Sequence, residues 1–138
     1  MSHIFSLLFP EGKTFMKTIF TILGVLFSLT IFAQNNAVTS ALKDGDAVKF
    51  SSYFAPTIDI KLPGENEMKN INRTEAASII QNFFSDYNIT GVDVTSQREM
   101  SGTMYITGKL KDGKSDHNIT VMMKNKEGSM SVITVRIN

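Results

Sequence analysis

The sequence predicts an α+β domain in which helices stack on one face of a mainly antiparallel sheet. Two observations lead to this fold class. Helix-period patterns come early in residues 34–138, the last of them ending near Tyr87, whereas alternating apolar and polar residues fill almost everything after Thr90. Turn residues also divide that second part into four segments of strand length. Helices that precede a run of antiparallel strands must cover one face of the sheet, which gives two layers.

The first 33 residues are expected to be an upstream segment followed by a cleaved signal peptide. From Met16 the sequence has one lysine, an apolar run and a small residue, Ala33, before Gln34. A membrane-spanning helix is the rival interpretation, but the uncharged run 18–33 is shorter than the roughly 20 residues that a bilayer requires. We therefore expect cleavage after Ala33, export to the periplasm or the medium, and no stable membrane insertion afterwards. Met16 is also a better start than Met1.

Residues 34–138 fit a single small domain, and their composition excludes several functions. The chain has no cysteine, so disulfides, thiol catalysis and thiolate metal sites are excluded. Of the 14 basic and 13 acidic side chains, only Lys13, Lys17 and Glu11 precede residue 34, so the charges of the domain balance. No basic stripe is present, and nucleic-acid binding is not expected. We expect no metal and no cofactor, since no group of ligand residues is visible.

The segment "ALKDGDAVKFSSYF", residues 41–54, predicts two short helices separated by a break. Gly45 can take the left-handed conformation that ends the first helix. Asp46 can then cap the second with its carboxylate. The break redirects the chain, and the second helix should turn its apolar side chains back into the core: Ala47, Val48, Phe50, Tyr53 and Phe54.

A strand, a hairpin partner and the long helix are expected next. Residues 58–62 alternate as in a strand with one wet face, Pro63-Gly64 is a turn, and residues 65–70 are expected to pair back. Asn72 to Glu75 reads as a capping box that opens the long helix. Large apolar residues recur along one helix face at intervals of three and four, which predicts the main cover of the sheet: Ala76, Ile79, Ile80, Phe83, Phe84 and Tyr87.

The last four segments predict an antiparallel meander. Val92 and Val94 open the first, and Asp112-Gly113 marks the turn between the second and the third. In the final strand Ile133, Val135 and Ile137 are expected on the face opposite Val132, Thr134 and Arg136.

Several motifs resemble a family of small secreted Bacteroidota proteins classed as a domain of unknown function, with a nuclear transport factor 2-like, or cystatin-like, fold. They are Gly45-Asp46, Ser51-Ser52, Tyr53-Phe54, Ile58-Asp59-Ile60 and the ending "VITVRIN". The resemblance covers essentially all of residues 34–138. It implies a cone-like curved sheet wrapped around a helix, often a cavity at the open end, and often a homodimer formed through the other face of the sheet. It implies no activity, because the fold hosts both enzymes and binding modules.

Five residues are candidates for lining a ligand site in the cone: Tyr53, Asp59, Phe84, Tyr105 and His117. Tyrosines can donate hydrogen bonds to a ligand, although tyrosine is more commonly a core or rim residue. Asp59 alternates with two isoleucines, so we expect it on a solvent-facing or dimer-forming surface. His117 is the single histidine of residues 34–138, and a histidine beside a turn is more often a surface residue than a catalyst.

Two functions are consistent with this pattern. The first is an exported, non-catalytic module that binds a small apolar ligand or a protein partner. The second is an isomerase or dehydratase with its pocket in the cone, using Asp59 or His117 as the base and a tyrosine as hydrogen-bond donor. We favour the first, and we assign no catalytic residue, because the sequence contains no evident catalytic grouping.

Overall fold

The computed structural model describes residues 36–113, 116–126 and 128–138. Residues 36–44 form the described part of the first helix, α1, followed by α2 (Ala47–Ser51) and α3 (Arg73–Asp86). The strands are β1 (Phe54–Lys61), β2 (Met68–Asn72), β3 (Gly91–Met100), β4 (Thr103–Lys111), β5 (Asn118–Lys126) and β6 (Ser129–Ile137). Within these ranges no helix has the length and apolarity needed to cross a membrane. The predicted signal peptide lies outside the described residues.

All six strands belong to one curved sheet with the order β2-β1-β6-β5-β4-β3. The predicted hairpin β1–β2 and the predicted meander β3–β4–β5–β6 are both antiparallel, and a parallel pairing of β1 with β6 joins them. Register shifts interrupt four of the five pairings, and bulges of this kind bend the strands that contain them. The predicted fold class, a curved and mainly antiparallel sheet packed on helices, is confirmed.

The inner face of the sheet, which packs against α3, forms the core. In β4 and β5 alternate residues point inward, and the helices supply opposing apolar side chains. The fully buried set includes Leu42, Phe50, Ile58, Ile60, Ile80, Ile106, Ile119, Val121, Met123, Val135 and Ile137. The other face of the sheet, called the outer face below, carries hydroxyl, charged and half-buried residues.

The corner between α1 and α2 explains why the first helix is broken. The amide of Gly45 donates to the carbonyl of Leu42, and that of Asp46 donates to Ala41, both at 3.0 Å, which is the bonding pattern of a Schellman motif. Gly45 has φ +68, as this motif requires. Asp46 also caps α2, because its side chain accepts from the amide of Lys49 at 3.0 Å. The corner therefore ends one helix and starts the next.

The same corner lies directly against the start of β3. A Cβ atom on Gly45 would lie 2.7 Å from the backbone carbonyl of Thr90, and one on Gly91 would lie 2.5 Å from the carbonyl oxygen of Lys43. Backbone therefore packs on backbone at this point, and two glycines make that approach possible.

A side-chain cap begins the long helix α3, and backbone hydrogen bonds close its end. The side chain of Asn72 accepts from the amide of Glu75 at 2.8 Å, as the predicted cap requires. At the other end the amides of Asn88 and Ile89 donate to Ser85 and Phe84, which is a second Schellman motif with Asn88 at φ 50. The chain thus turns sharply from α3 towards β3.

Details of α2 and β6 differ from the sequence-based expectations. Val48 is 66% exposed rather than packed in the core. In β6 the pairing with β5 skips Ile133: Met122 is opposite Thr134, and the next residue, Met123, is opposite Val132. Val132 is therefore fully buried and Ile133 lies on the outer face, the reverse of the predicted alternation.

Candidate functional site

A groove with a volume of about 420 Å³ runs along the C-terminal half of α3. One wall is the connection between β1 and β2, with Leu62, Pro63 and Glu65, together with Met68 at the start of β2. The other wall is a single stripe of α3 and its cap, with residues spaced three and four apart: Ile79, Asn82, Phe83, Asp86 and Tyr87. Five of the nine lining residues are apolar, but polar atoms make up slightly more of the accessible lining than apolar atoms do. The residues with polar side chains are Glu65, Asn82, Asp86 and Tyr87.

Contacts of two charged side chains hold the connection between β1 and β2 in place. The ammonium of Lys61 donates to the carbonyl oxygens of Leu62 and Glu65. Beyond the turn, the guanidinium of Arg136 on β6 donates to the carboxylate of Glu67 at 3.0 Å. These contacts connect the first wall of the groove to the end of β1 and to β6.

An aromatic cluster supports the other wall. The rings of Phe83 and Tyr87 stack with centroids 4.5 Å apart and an interplanar angle of 28°. The His117 ring meets both edge-on, at 5.3 Å from Tyr87 and 6.0 Å from Phe83. Phe83 is buried, whereas Tyr87 remains 46% exposed. Tyr87 thus has a ring held by its neighbours and partly open to solvent, at the border of the groove.

His117 is held in turn by a carboxylate from the β4–β5 connection. Its Nδ1 lies 2.9 Å from Oδ2 of Asp112, and the side chain of Asp112 is only 3% exposed, against 15% for His117. A buried carboxylate bonded to an imidazole fixes the orientation of the ring. The pair positions His117 against the aromatic cluster, but neither Asp112 nor His117 lines the groove itself.

The five sequence-predicted site residues do not converge on one pocket. Of these, the structure places only His117 against groove residues, through its ring contacts with Phe83 and Tyr87. Phe84 lies on the same helix but is buried in the core. Tyr53 follows α2 and borders a different depression, of about 270 Å³, together with Arg73.

Asp59 and Tyr105 both lie on the outer face of the sheet. The carboxylate of Asp59 accepts from the amide of Asn70 at 2.8 Å and borders an outer depression of about 290 Å³. Tyr105 is half-buried on β4, between Arg98 of β3 and Met122 of β5. Asp59 and His117 are consequently on opposite sides of the sheet, because His117 contacts α3 on the inner side.

Sequence reasoning did not identify the groove residues as a site. Tyr87 and Ile79 were assigned to the core face of α3, and Asp86 was not singled out. The sequence feature that could have indicated this site is the pair Asp86-Tyr87 at the end of the helix, because a carboxylate is electrostatically unfavourable there. Metal binding has no structural support in the described part of the chain, since no three His, Asp or Glu residues converge there.

Comparison with known proteins gives one family and a set of similar folds. The model of a domain of unknown function, DUF4783, matches residues 35–138. A crystal structure of a DUF4783 family protein from Bacteroides ovatus superposes with a TM-score of 0.67 at 20% identity, covering 73% of this chain and 90% of that one. No curated protein matches this sequence.

Two other solved structures share the fold at lower identity. A putative polyketide cyclase from Sinorhizobium meliloti has a TM-score of 0.56 at 13% identity, covering 77% of this chain and 94% of that one. An uncharacterized cystatin fold protein from Novosphingobium aromaticivorans has a TM-score of 0.57 at 9% identity, covering 77% and 95%. At these identities the similarity shows the nuclear transport factor 2-like, or cystatin-like, fold alone.

Proposed function

The chain belongs to the DUF4783 family of domains of unknown function, and from the geometry of the groove we propose that it is a non-catalytic module that binds a small ligand with an apolar body. The observation that carries the proposal is the large exposed residue Tyr87 on the wall of the groove. A large aromatic side chain that is held by neighbouring rings and still faces solvent is suited to contact a ligand.

The size and chemistry of the groove support this proposal. Its volume of about 420 Å³ lies within the usual range of small-molecule sites, roughly 300–1,000 Å³. The apolar side chains of the mixed lining offer surface that a ligand can bury, and Glu65, Asn82 and Asp86 offer polar groups that can orient it. The anchored connection between β1 and β2 limits the ordering cost of binding, because one wall needs no rearrangement.

The proposal includes export and self-association. The apolar run before Ala33 has the layout of a signal peptide, which would place the module in the periplasm or outside the cell.

We also propose a homodimer through the outer face, because Tyr105, Met122 and Ile133 place apolar surface there. Light scattering on residues 34–138 tests this part. A mass of two chains is expected, and a monomer at every concentration contradicts it.

An enzymatic function is the second candidate, and the His117–Asp112 pair is the observation that favours it. A carboxylate on Nδ1 is the arrangement by which enzymes orient a histidine base. Proton-abstracting activity can be tested without a known substrate, by following deuterium incorporation from D₂O into a panel of carbonyl compounds by NMR. Exchange that His117→Gln abolishes and Asp59→Asn leaves intact would favour the enzyme; no exchange in any compound would reject it.

Tyr87→Ala is expected to weaken ligand binding to the groove by about fivefold, because one aromatic contact of this kind contributes about 1 kcal/mol. The neutral fluorescent probe N-phenyl-1-naphthylamine reports binding, since its emission rises when it leaves water. Val48→Ala removes another large exposed side chain away from the groove and should leave probe affinity unchanged. Equal affinity in Tyr87→Ala and the wild type, or no binding by the wild type, contradicts the proposal.

A further inference from the structure

We propose that the groove selects organic cations, that is, ligands in which an ammonium group is joined to an apolar body. This inference rests on the proposed binding function and adds the charge of the ligand to it. Glu65 on one wall and Asp86 on the other are the charged residues of the lining, and no lining residue is basic. A concave, partly apolar surface between two carboxylates favours a positive charge over a negative one.

The end of α3 strengthens the negative potential of the groove. Asp86 is the last residue of the helix, and no basic residue lies in the last turn. The C-terminus of a helix carries a partial negative charge, so a carboxylate there is unfavourable for the helix itself. Asp86 therefore has no stabilising role towards its own helix, whereas its position on the groove wall allows it to attract a cation.

The nearby cation Lys61 does not line the groove. The ammonium of Lys61 donates to the carbonyl oxygens of Leu62 and Glu65, so its described contacts are with the backbone. Leu62 and Glu65 both line the groove, so the ammonium lies beside that wall and offsets part of the charge of Glu65. Asp86 on the opposite wall is therefore the main source of the acidic character of the groove.

Tyr87 supplies a second, independent feature that suits a cation. Its ring is held by stacking on Phe83 and by the edge of His117, and 46% of the residue is still exposed. Because Phe83 covers one face of the ring, an ammonium group would contact the part of Tyr87 that remains exposed, where cation–π attraction adds to that of a neighbouring carboxylate. Asp86 and Tyr87 are adjacent in sequence and both border the groove, so one head group can reach both.

Three probes with the same phenylbutyl body test the charge preference by calorimetry: phenylbutyltrimethylammonium, 4-phenylbutan-1-ol and 5-phenylpentanoate. The cation is expected to bind at least about tenfold more tightly than the alcohol, and the carboxylate is expected to bind most weakly. Because the carboxylates are partly exposed to solvent, the preference should shrink in 0.5 M NaCl.

Charge-neutralising variants test which carboxylates cause the preference for the cation. Asp86→Asn and Glu65→Gln should each lower affinity for the cation about three- to tenfold and leave affinity for the alcohol within about twofold. Asp93→Asn, on exposed β3 outside the groove, is the matched control and should change neither. Asp86→Asn is also expected to fold, because it removes an unfavourable charge from the end of α3.

The outcomes separate the two proposals. If no probe binds, the binding function fails and this inference fails with it. If the alcohol or the carboxylate binds as tightly as the cation, or if the variants leave the preference intact, the binding function stands and the cation preference is overturned.

Discussion

Gly45→Ala is expected to destabilise the domain by about 3 kcal/mol or more, which for a domain of this size is a large part of the total stability. A left-handed conformation such as that of Gly45, with φ +68, is less favourable for alanine by about 1–2 kcal/mol. In addition, its Cβ would lie 2.7 Å from the carbonyl carbon and oxygen of Thr90 and 2.9 Å from the amide nitrogen of Gly91. These are backbone atoms at the start of β3, whose pairing with β4 prevents them from moving away freely.

Gly102→Ala is the matched control for this prediction. Gly102 has φ +80, but a Cβ there would meet no atom within 4 Å. It therefore carries the conformational cost alone, about 1–2 kcal/mol. Urea denaturation of both variants gives the difference, which measures the backbone clash. Equal losses in the two variants would mean that the corner moves away from β3 without resistance, contrary to the contact described above.

The sequence was sufficient to predict the break at Gly45 but not the contact that makes the break necessary. Asp44-Gly45-Asp46 is a local signal, because helix capping depends on residues within one turn. The approach of the corner to Gly91 joins positions that are far apart in the chain, and nothing in the local pattern of Gly91 indicates it. Local chemistry was thus predictable, and long-range packing was not.

In the strands, too, the local pattern was predictable and the pairing between strands was not. In β5 the apolar residues Ile119, Val121 and Met123 alternate along the strand and are all buried, and no bulge interrupts their pairing with β4. The alternation of β6 failed at Val132 and Ile133, where a register shift against β5 reverses the faces. A bulge adds one residue without changing composition, so a period-2 pattern cannot show it.

The groove was less predictable than the fold. Tyr87 continues the apolar stripe of α3, and whether such a residue is buried depends on how far the neighbouring β1–β2 connection extends over the helix. His117 and Asp112 come together through the β4–β5 connection, which the Asp112-Gly113 signal predicts only as a turn. A site assembled from helix ends and connections depends on geometry that residue patterns do not encode.

Phe50→Ala is expected to cost about 4 kcal/mol, within the range of 3–5 kcal/mol for large aromatic truncations in cores. Phe50 is fully buried, and its ring meets Phe54 edge-on with centroids 5.3 Å apart. It also belongs to α2, a helix of five residues that is too short to be stable without tertiary contacts. The loss should therefore include the attachment of α2 to α3, where Gln81 donates to the hydroxyl of Ser51 at 3.1 Å.

Val48→Ala in the same helix is the control, because it truncates a side chain of α2 that lies outside the core. Val48 is 66% exposed, so its truncation leaves the core intact and, because alanine favours helix, should change stability by less than about 0.5 kcal/mol. Thermal unfolding followed by circular dichroism measures both variants. A loss for Phe50→Ala no larger than that for Val48→Ala would mean that α2 is not part of the cooperative core. The corner at Gly45 would then change the direction of the chain without adding stability. The close contact with the backbone of β3 would be the only reason for a glycine at this position.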